Sequence, residues 1–284
     1  MSVAVLAGRR NTAPRRRAAA DRTGEPVGAV AGLGLGVAVL WFGLLVLLPL
    51  AAVVATGLSG GWAGFLDAVT SRAAIESLRF TVICVVIVTV VNAVMGTAIA
   101  YLLARDNFRG RRVLDVVIDI PFALPTIVAG VVMLTLYGPS GPLGLNLLGT
   151  TAGVVLALLF VTLPFVVRSV QPVLQALDRD AEQAAASLGA TPWVTFRRVV
   201  LPVLLPAIGS GSALTFARGM GEYGSVLLIA GGLDNTRVSS MYVFQQVQNF
   251  DYPAAAAVAT VLLTVSVVVI SLLQLVHRWG SRHG

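Results

Sequence analysis

The sequence contains no lysine and little charge of any kind. Only 12% of its 284 residues are charged, roughly half of what a soluble domain carries, which excludes a water-facing surface over most of the chain. A single cysteine, Cys84, excludes an intrachain disulfide and leaves the redox compartment unread. The two histidines, His277 and His283, stand in a basic C-terminal stretch without ligand-spaced companions, so no metal site is expected. No Gly-x-x-x-x-Gly-Lys-Ser/Thr run occurs, which excludes an ATP site of that kind, and no nucleophile–base pair stands out. The expectation is a chain without catalytic residues and without a cofactor of its own.

What fills the sequence is apolar residues, at 57% with a mean hydropathy of +0.87. Residues 26–66, 80–104 and 120–167 lack Asp, Glu, Lys and Arg altogether, and each exceeds the ~20 residues needed to cross a bilayer. The pattern predicts an all-α membrane protein with six spans, near 29–57, 80–104, 116–137, 151–167, 203–230 and 254–276. The first 25 residues read as a disordered Arg-rich tail, and residues 26–284 as one transmembrane domain. The apolar run after the tail is too long for a cleaved signal, so an uncleaved first helix is expected.

The 20 basic residues are all arginine and the net charge is +7. The arginine bias fits a high-GC bacterial genome. A basic balance also raises nucleic-acid binding, but topology explains the arginines better. With both termini cytoplasmic, the inner side holds Arg9, Arg10, Arg15, Arg16, Arg17 and Arg22 in the tail and Arg105, Arg109, Arg111 and Arg112 after the second span. It also holds Arg168, Arg179, Arg197 and Arg198 after the fourth, and Arg278 and Arg282 at the end. The outer side holds Arg72, Arg79 and Arg237, while Arg218 falls inside the fifth span. Such a split follows the positive-inside rule and predicts both termini inside.

Between the fourth and fifth spans lies a polar element, 178–202, DRDAEQAAASLGATPWVTFRRVVLP. Asp178, Asp180 and Glu182 put negative charge where a helix N-terminus favours it. Ala181, Ala184, Ala185 and Leu188 recur on one helical face. Gly189 occupies a C′ position, Thr191 suits an N-cap and Pro192 a first helical residue. Trp193, Phe196 and Val200 form a face of the second helix, with Arg197 and Arg198 beside it. On these residues alone, an ordinary surface helix pair and a docking knob for another protein both remain open.

The spacing resembles the EAA loop of importer-type ABC permeases: Glu-Ala-Ala, three residues, Gly, nine residues, an aliphatic, any residue, Leu-Pro. Ala184, Ala185, Gly189, Val199, Leu201 and Pro202 fall on those places; Gln183 takes the Glu place, with Glu182 one residue earlier. Leu114–Gly141 (LDVVIDIPFALPTIVAGVVMLTLYGPSG), Leu163–Leu174 (LPFVVRSVQPVL), Arg218–Gly224 (RGMGEYG) and Asn249–Ala257 (NFDYPAAAA) extend the likeness to sulfate/thiosulfate permeases of the molybdate–sulfate subgroup, nearest their T-type subunits. It covers roughly 40–280 and leaves out the tail. The resemblance implies the type I ABC importer permease (MetI-like) fold and one half of an alternating-access pore in the cytoplasmic membrane. Its implied partners are a second permease (a W-type subunit or another copy), two ATP-binding subunits that hold ATP-Mg, and an external sulfate-binding protein. It also implies that Glu182, Gln183, Ala184, Ala185, Leu188, Gly189, Leu201 and Pro202 couple this chain to the ATPase. Molybdate or tungstate is the alternative cargo. A gradient-driven secondary transporter is the alternative class, against which stands the lack of a visible inverted repeat.

Inside the spans, Asp119, Pro121 and Pro125 interrupt an apolar helix. Irregular backbone at that depth must be buried in protein or line a cavity, so these residues mark either an anion path or a packing kink. Asp115 and Asp119 could instead pair with arginines of the preceding loop. Arg218 and Glu222, four apart, make an ion pair on one helix face that serves either the anion path or structure, with Tyr223 as gate or packing. Gly209, Ala213, Ala217 and Gly221 offer a ridge for close helix approach. Asp251 and Tyr252 belong to an outer loop, open to a delivery protein or to plain turn chemistry.

Overall fold

A computed structural model of the chain describes residues 29–280. The tail 1–25 with its arginines, Arg282 and His283 lie outside the described residues, as do the side chains of His277 and Arg278. All described secondary structure is helical. The chain divides into two compact units, up to Pro49 and from Leu50 onward.

The first unit holds α1 (Ala29–Phe42) and a π turn at Gly43–Leu47, with no residue of the turn buried. The helix continues as α2 (Leu48–Gly57). The π turn has a sequence cause. The Leu48 N–H bonds back to the Gly43 carbonyl, five residues earlier, and Pro49 follows. Proline has no N–H and its ring crowds the carbonyl four residues back, and a widened turn just ahead of it relieves both conflicts.

The second unit is built on α4 (Arg72–Arg105), α7 (Thr151–Ala176) and α10 (Leu201–Met220), which pack on one another. At about 50 Å, α4 is longer than the ~30 Å hydrocarbon layer. It starts at Arg72 rather than near residue 80, because Ser71 caps it by accepting from the Ala74 N–H. Outside this centre lie α3 (Gly61–Thr70), α12 (Ser239–Gln248) and α13 (Tyr252–Gly280), with α13 against α10, α12 and α3. Val166 of α7 sits between two glycines. A Cβ at Gly96 would lie 2.8 Å from Val166 Cβ, and one at Gly211 2.8 Å from Val166 Cα. Helices in lipid gain little from apolar burial as such, so close packing and interhelical hydrogen bonds hold them. One such bond runs from Asn92 Nδ2 to Thr162 Oγ1 at 2.8 Å, fully buried and worth about 0.6 kcal/mol. The ridge of Gly209, Ala213, Ala217 and Gly221, whose expected place is the pore or a second permease subunit, does not supply the glycine contacts inside this bundle. Gly211 meets α7 and Gly219 meets Val85 of α4, while Gly221 lies beyond the helix end.

Three more spans differ from their expected form. The third is not one helix. It breaks into α5 (Arg111–Ala123) and α6 (Thr126–Tyr137), bent by 116°. The cause is Pro125, which forces Leu124 into extended backbone (φ −84°, ψ 134°). The fourth continues past Arg168 to Ala176, so Arg168 belongs to the helix and not to the loop after it. The fifth begins at Pro192 and stops at Met220; α11 (Gly224–Ile229) is a separate short helix beyond a break at Gly221–Tyr223. Among the described residues, five helical segments are therefore long and apolar enough to span a membrane, and six if the bent pair counts as one.

Candidate functional site

The polar element forms a knob at the end of the bundle where α4 and α7 finish and α10 begins. Its first helix is α8 (Asp180–Ser187), with Asp180 and Glu182 in the first turn. Asp178 Oδ1 accepts from the Asp180 N–H at 3.1 Å. The helix ends in a Schellman turn: Gly189 N–H bonds to Ala186 O at 2.9 Å and Ala190 N–H to Ala185 O at 3.0 Å, with Gly189 at φ +84°. Thr191 then caps α9 (Pro192–Thr195), its hydroxyl accepting from the Val194 N–H. The second helix is not freestanding. It runs through a π turn, Phe196–Val200, straight into α10, and Leu201–Pro202 repeats the pattern seen at Leu48–Pro49, with the Leu201 N–H on the Phe196 carbonyl.

The faces sort cleanly. Gln183, Ala184 and Gly189 are exposed, Ala185 is half-buried, and Leu188 is 89% exposed. This is an apolar tip that nothing else in the described chain covers. Trp193, Phe196 and Val200 do not share one outward face. Phe196 packs edge-on to Tyr101 of α4 and stacks with Trp193, whereas Val200 is fully buried among Ala100, Leu103, Val170 and Leu204. The π turn rotates Val200 inward, which a regular 3.6-residue period does not anticipate. Glu182 also departs from expectation, because its carboxylate turns inward to Arg105 at the last residue of α4.

Asp119, a candidate for the anion path, and Asp115 both pair with an arginine. They bind Arg168 of α7, not the loop arginines before them. Arg168 Nε and Nη2 donate to the Asp119 carboxylate at 2.7 and 2.6 Å, and Nη1 donates to Asp115 Oδ1 at 2.8 Å and to Gln171 Oε1 at 2.6 Å. Nη2 also reaches the Asp115 carbonyl. One guanidinium thus fastens α5 to α7. Sequence reasoning missed Arg168 because it counted the residue as part of the cytosolic connection after the fourth span, whereas α7 runs on to Ala176.

Pro125 marks one helix break, and the Arg218–Glu222 pair flanks another. The break after α5 and the break before α11 lie against each other. A Cβ on Gly224 would overlap the Thr126 hydroxyl and come within 2.9 Å of the Ile127 nitrogen, and one on Gly130 would come 2.8 Å from the Gly224 carbonyl. Pro121 stays within α5. Arg218 and Glu222 pair at 2.6 Å across the end of α10, with the Glu222 side chain 1% exposed and that of Arg218 36%. They are not on one unbroken helix. Glu222 Oε1 caps α11 by accepting from the Ser225 N–H at 3.0 Å, and its carbonyl accepts from Ser240 Oγ of α12. Tyr223 packs on Phe244. Gly219, next to Arg218, touches Val85, about 30 Å along α4 from Arg105. Junction and knob are therefore far apart. Asp251 caps α13 by accepting from the Ala254 N–H, which is turn chemistry, while Tyr252 is half-exposed.

Residues 96–281 match the family of binding-protein-dependent transport system inner membrane components. The chain belongs to that family. The permease is 42% identical over 255 residues to the sulfate transport system permease protein CysT of Synechocystis sp., covering 87% of this chain and 89% of that one. To the protein of the same name from Escherichia coli it is 40% identical over 259 residues, covering 88% and 94%. Among solved structures it superposes on a chain of a bacterial alginate ABC transporter with a TM-score of 0.73 at 16% identity, over 86% of this chain and 92% of the other. It also superposes on a chain of the MetNI methionine ABC transporter with a TM-score of 0.55 at 21% identity, over 74% and 94%. These likenesses establish the type I importer permease fold, and the chain is a multi-pass transport subunit.

Proposed function

We propose that this permease carries sulfate, and thiosulfate with it, through the cytoplasmic membrane as half of an ATP-driven pore. The observation that carries the cargo is the identity of about 40% to two sulfate permeases over nearly the full length of both chains. The observation that supports an external energy source is the knob, whose exposed Leu188 and alanine face offer a docking tip. In this reading two ATP-binding subunits, carrying ATP-Mg, receive that tip in the cytosol. A related permease, of W-type or a second copy, completes the pore, and an external binding protein delivers the anion. Both termini are cytoplasmic, as the arginine distribution favours.

The mechanism is alternating access in which the permease makes and breaks no covalent bond. Closure of the ATPase pair pushes the knob, the push travels along α7 and α10, and the junction of broken helices 30 Å away (order of magnitude, from helix rise) changes shape. Arg218 is half-exposed and already neutralised by Glu222, so its pull on a dianion is local and weak. That suits passage better than retention. The test is uptake of labelled sulfate into proteoliposomes holding the full complex, with thiosulfate, molybdate and tungstate as competitors. ATP-dependent uptake blocked by thiosulfate supports the reading. Preferential block by molybdate changes the cargo, and gradient-driven uptake without any ATPase overturns the class.

A further inference from the structure

The last residue of α4 sits at the root of the knob. Arg105 has a side chain only 8% exposed, and its Nη2 reaches two groups at once. One is the Glu182 carboxylate in the first turn of α8, at 2.5 Å; the other is the carbonyl of Leu177, the C-cap of α7, at 3.2 Å. The Arg105 carbonyl in turn accepts from Arg179 Nη2 at 3.2 Å, just before α8. One guanidinium therefore joins the end of α4, the end of α7 and the start of α8. Its Nε is buried without a partner, which makes the Glu182 and Leu177 contacts the main compensation for a charge taken out of water.

Covalent connection alone would let the knob move α7 and α10 and leave α4 behind, since α4 is linked to α8 only through the whole of α5 to α7. We infer that the Arg105–Glu182 pair is a positioning clamp that makes α4 move with the knob, so that a push on α8 reaches three helices of the central bundle together. The inference rests on the coupling role proposed above. It also explains the motif: Glu182 is engaged inside the chain, and the outward place one residue later is held by the exposed Gln183. The far end of this lever is the Val85–Gly219 contact beside Arg218, so α4 leads directly to the junction of broken helices.

The test compares Arg105→Ala, Glu182→Ala, the double substitution and the inverted pair Arg105→Glu/Glu182→Arg in the complete transporter. The readout is sulfate moved per ATP hydrolysed, measured on complexes shown to be assembled. Each single substitution is expected to lower that ratio at least threefold with ATP hydrolysis maintained. The double should be no worse than the singles, and the inverted pair should regain at least half of the loss. A wild-type ratio in the singles, or an inverted pair no better than they are, overturns the clamp. If a substitution prevents assembly, Arg105→Lys keeps the question open to measurement: it retains the charge and is expected to restore assembly and most of the ratio, and a Lys variant as uncoupled as Ala would refute the clamp. A separate arm uses Leu188→Cys in a Cys84→Ser background. Failure of that tip to cross-link to the ATP-binding subunit would sink the coupling role itself, whereas cross-linking with an unchanged ratio in Arg105→Ala would sink only the clamp.

Discussion

Gly189 offers a perturbation whose size follows from backbone geometry alone. It sits at φ +84° in the turn that ends α8, and a Cβ built on it would meet nothing within 4 Å. Substitution there therefore costs conformational energy and no steric clash. An L-residue in the left-handed region pays about 1–2 kcal/mol, Asn less because its short amide tolerates that region, and a β-branched residue more. A cost of that size shifts the ratio of formed to unformed turn by roughly 5- to 30-fold. The helix it closes is only eight residues long, too short to stand without its end. The expected series is Asn near wild type, Ala reduced and Val lowest in ATP-coupled sulfate uptake, with membrane insertion and purified yield unchanged because no core residue is touched. Hydrogen exchange supplies the structural readout, since the Ala190 amide donates to Ala185 within the same turn and should lose protection in the same order. A Val variant that transports like Asn, or uptake that falls while Ala190 keeps its protection, would refute the reasoning.

Three further outcomes follow from the contacts inside the bundle. Arg168→Ala leaves the Asp119 carboxylate and the Gln171 oxygen without this donor, and Asp115 with only Gln171 Nε2; with the ion-pair side chains 30–49% exposed, the loss should be about 1–2 kcal/mol, between exposed and buried pairs. Thermal denaturation in detergent checks it, and a wild-type midpoint would deny the fastening of α5. Arg218→Ala strands the buried Glu222 carboxylate at a cost on the order of 3–5 kcal/mol. Glu222→Gln should cost less, and the double Arg218→Ala/Glu222→Gln should recover yield relative to Arg218→Ala; no recovery would mean the pair is not what Glu222 is buried for. Gly224→Leu should push α6 from α11, at about 1–3 kcal/mol of overpacking, and abolish uptake while the Leu188→Cys cross-link to the ATP-binding subunit persists.

The sequence by itself marked the apolar segments, an uneven spread of arginines and the polar element between the fourth and fifth spans. Each is written in local terms: run length, charge count, and a Gly–Ala–Thr–Pro turn whose residues allow one backbone path. It also marked Pro125 as a disturbance, though not its size, because a proline within a helix and a proline that ends one differ only in what the preceding residue is free to do. Tertiary structure alone decided which charges distant in sequence meet. Arg168 finds Asp115 and Asp119 from 49 residues away or more, and Arg105 finds Glu182 from 77. Nothing in the spacing of such residues encodes their pairing, because it arises only when α4, α5 and α7 are brought side by side. The same holds for the two helix breaks, which become one junction only through the glycines at 130 and 224 that let their backbones touch.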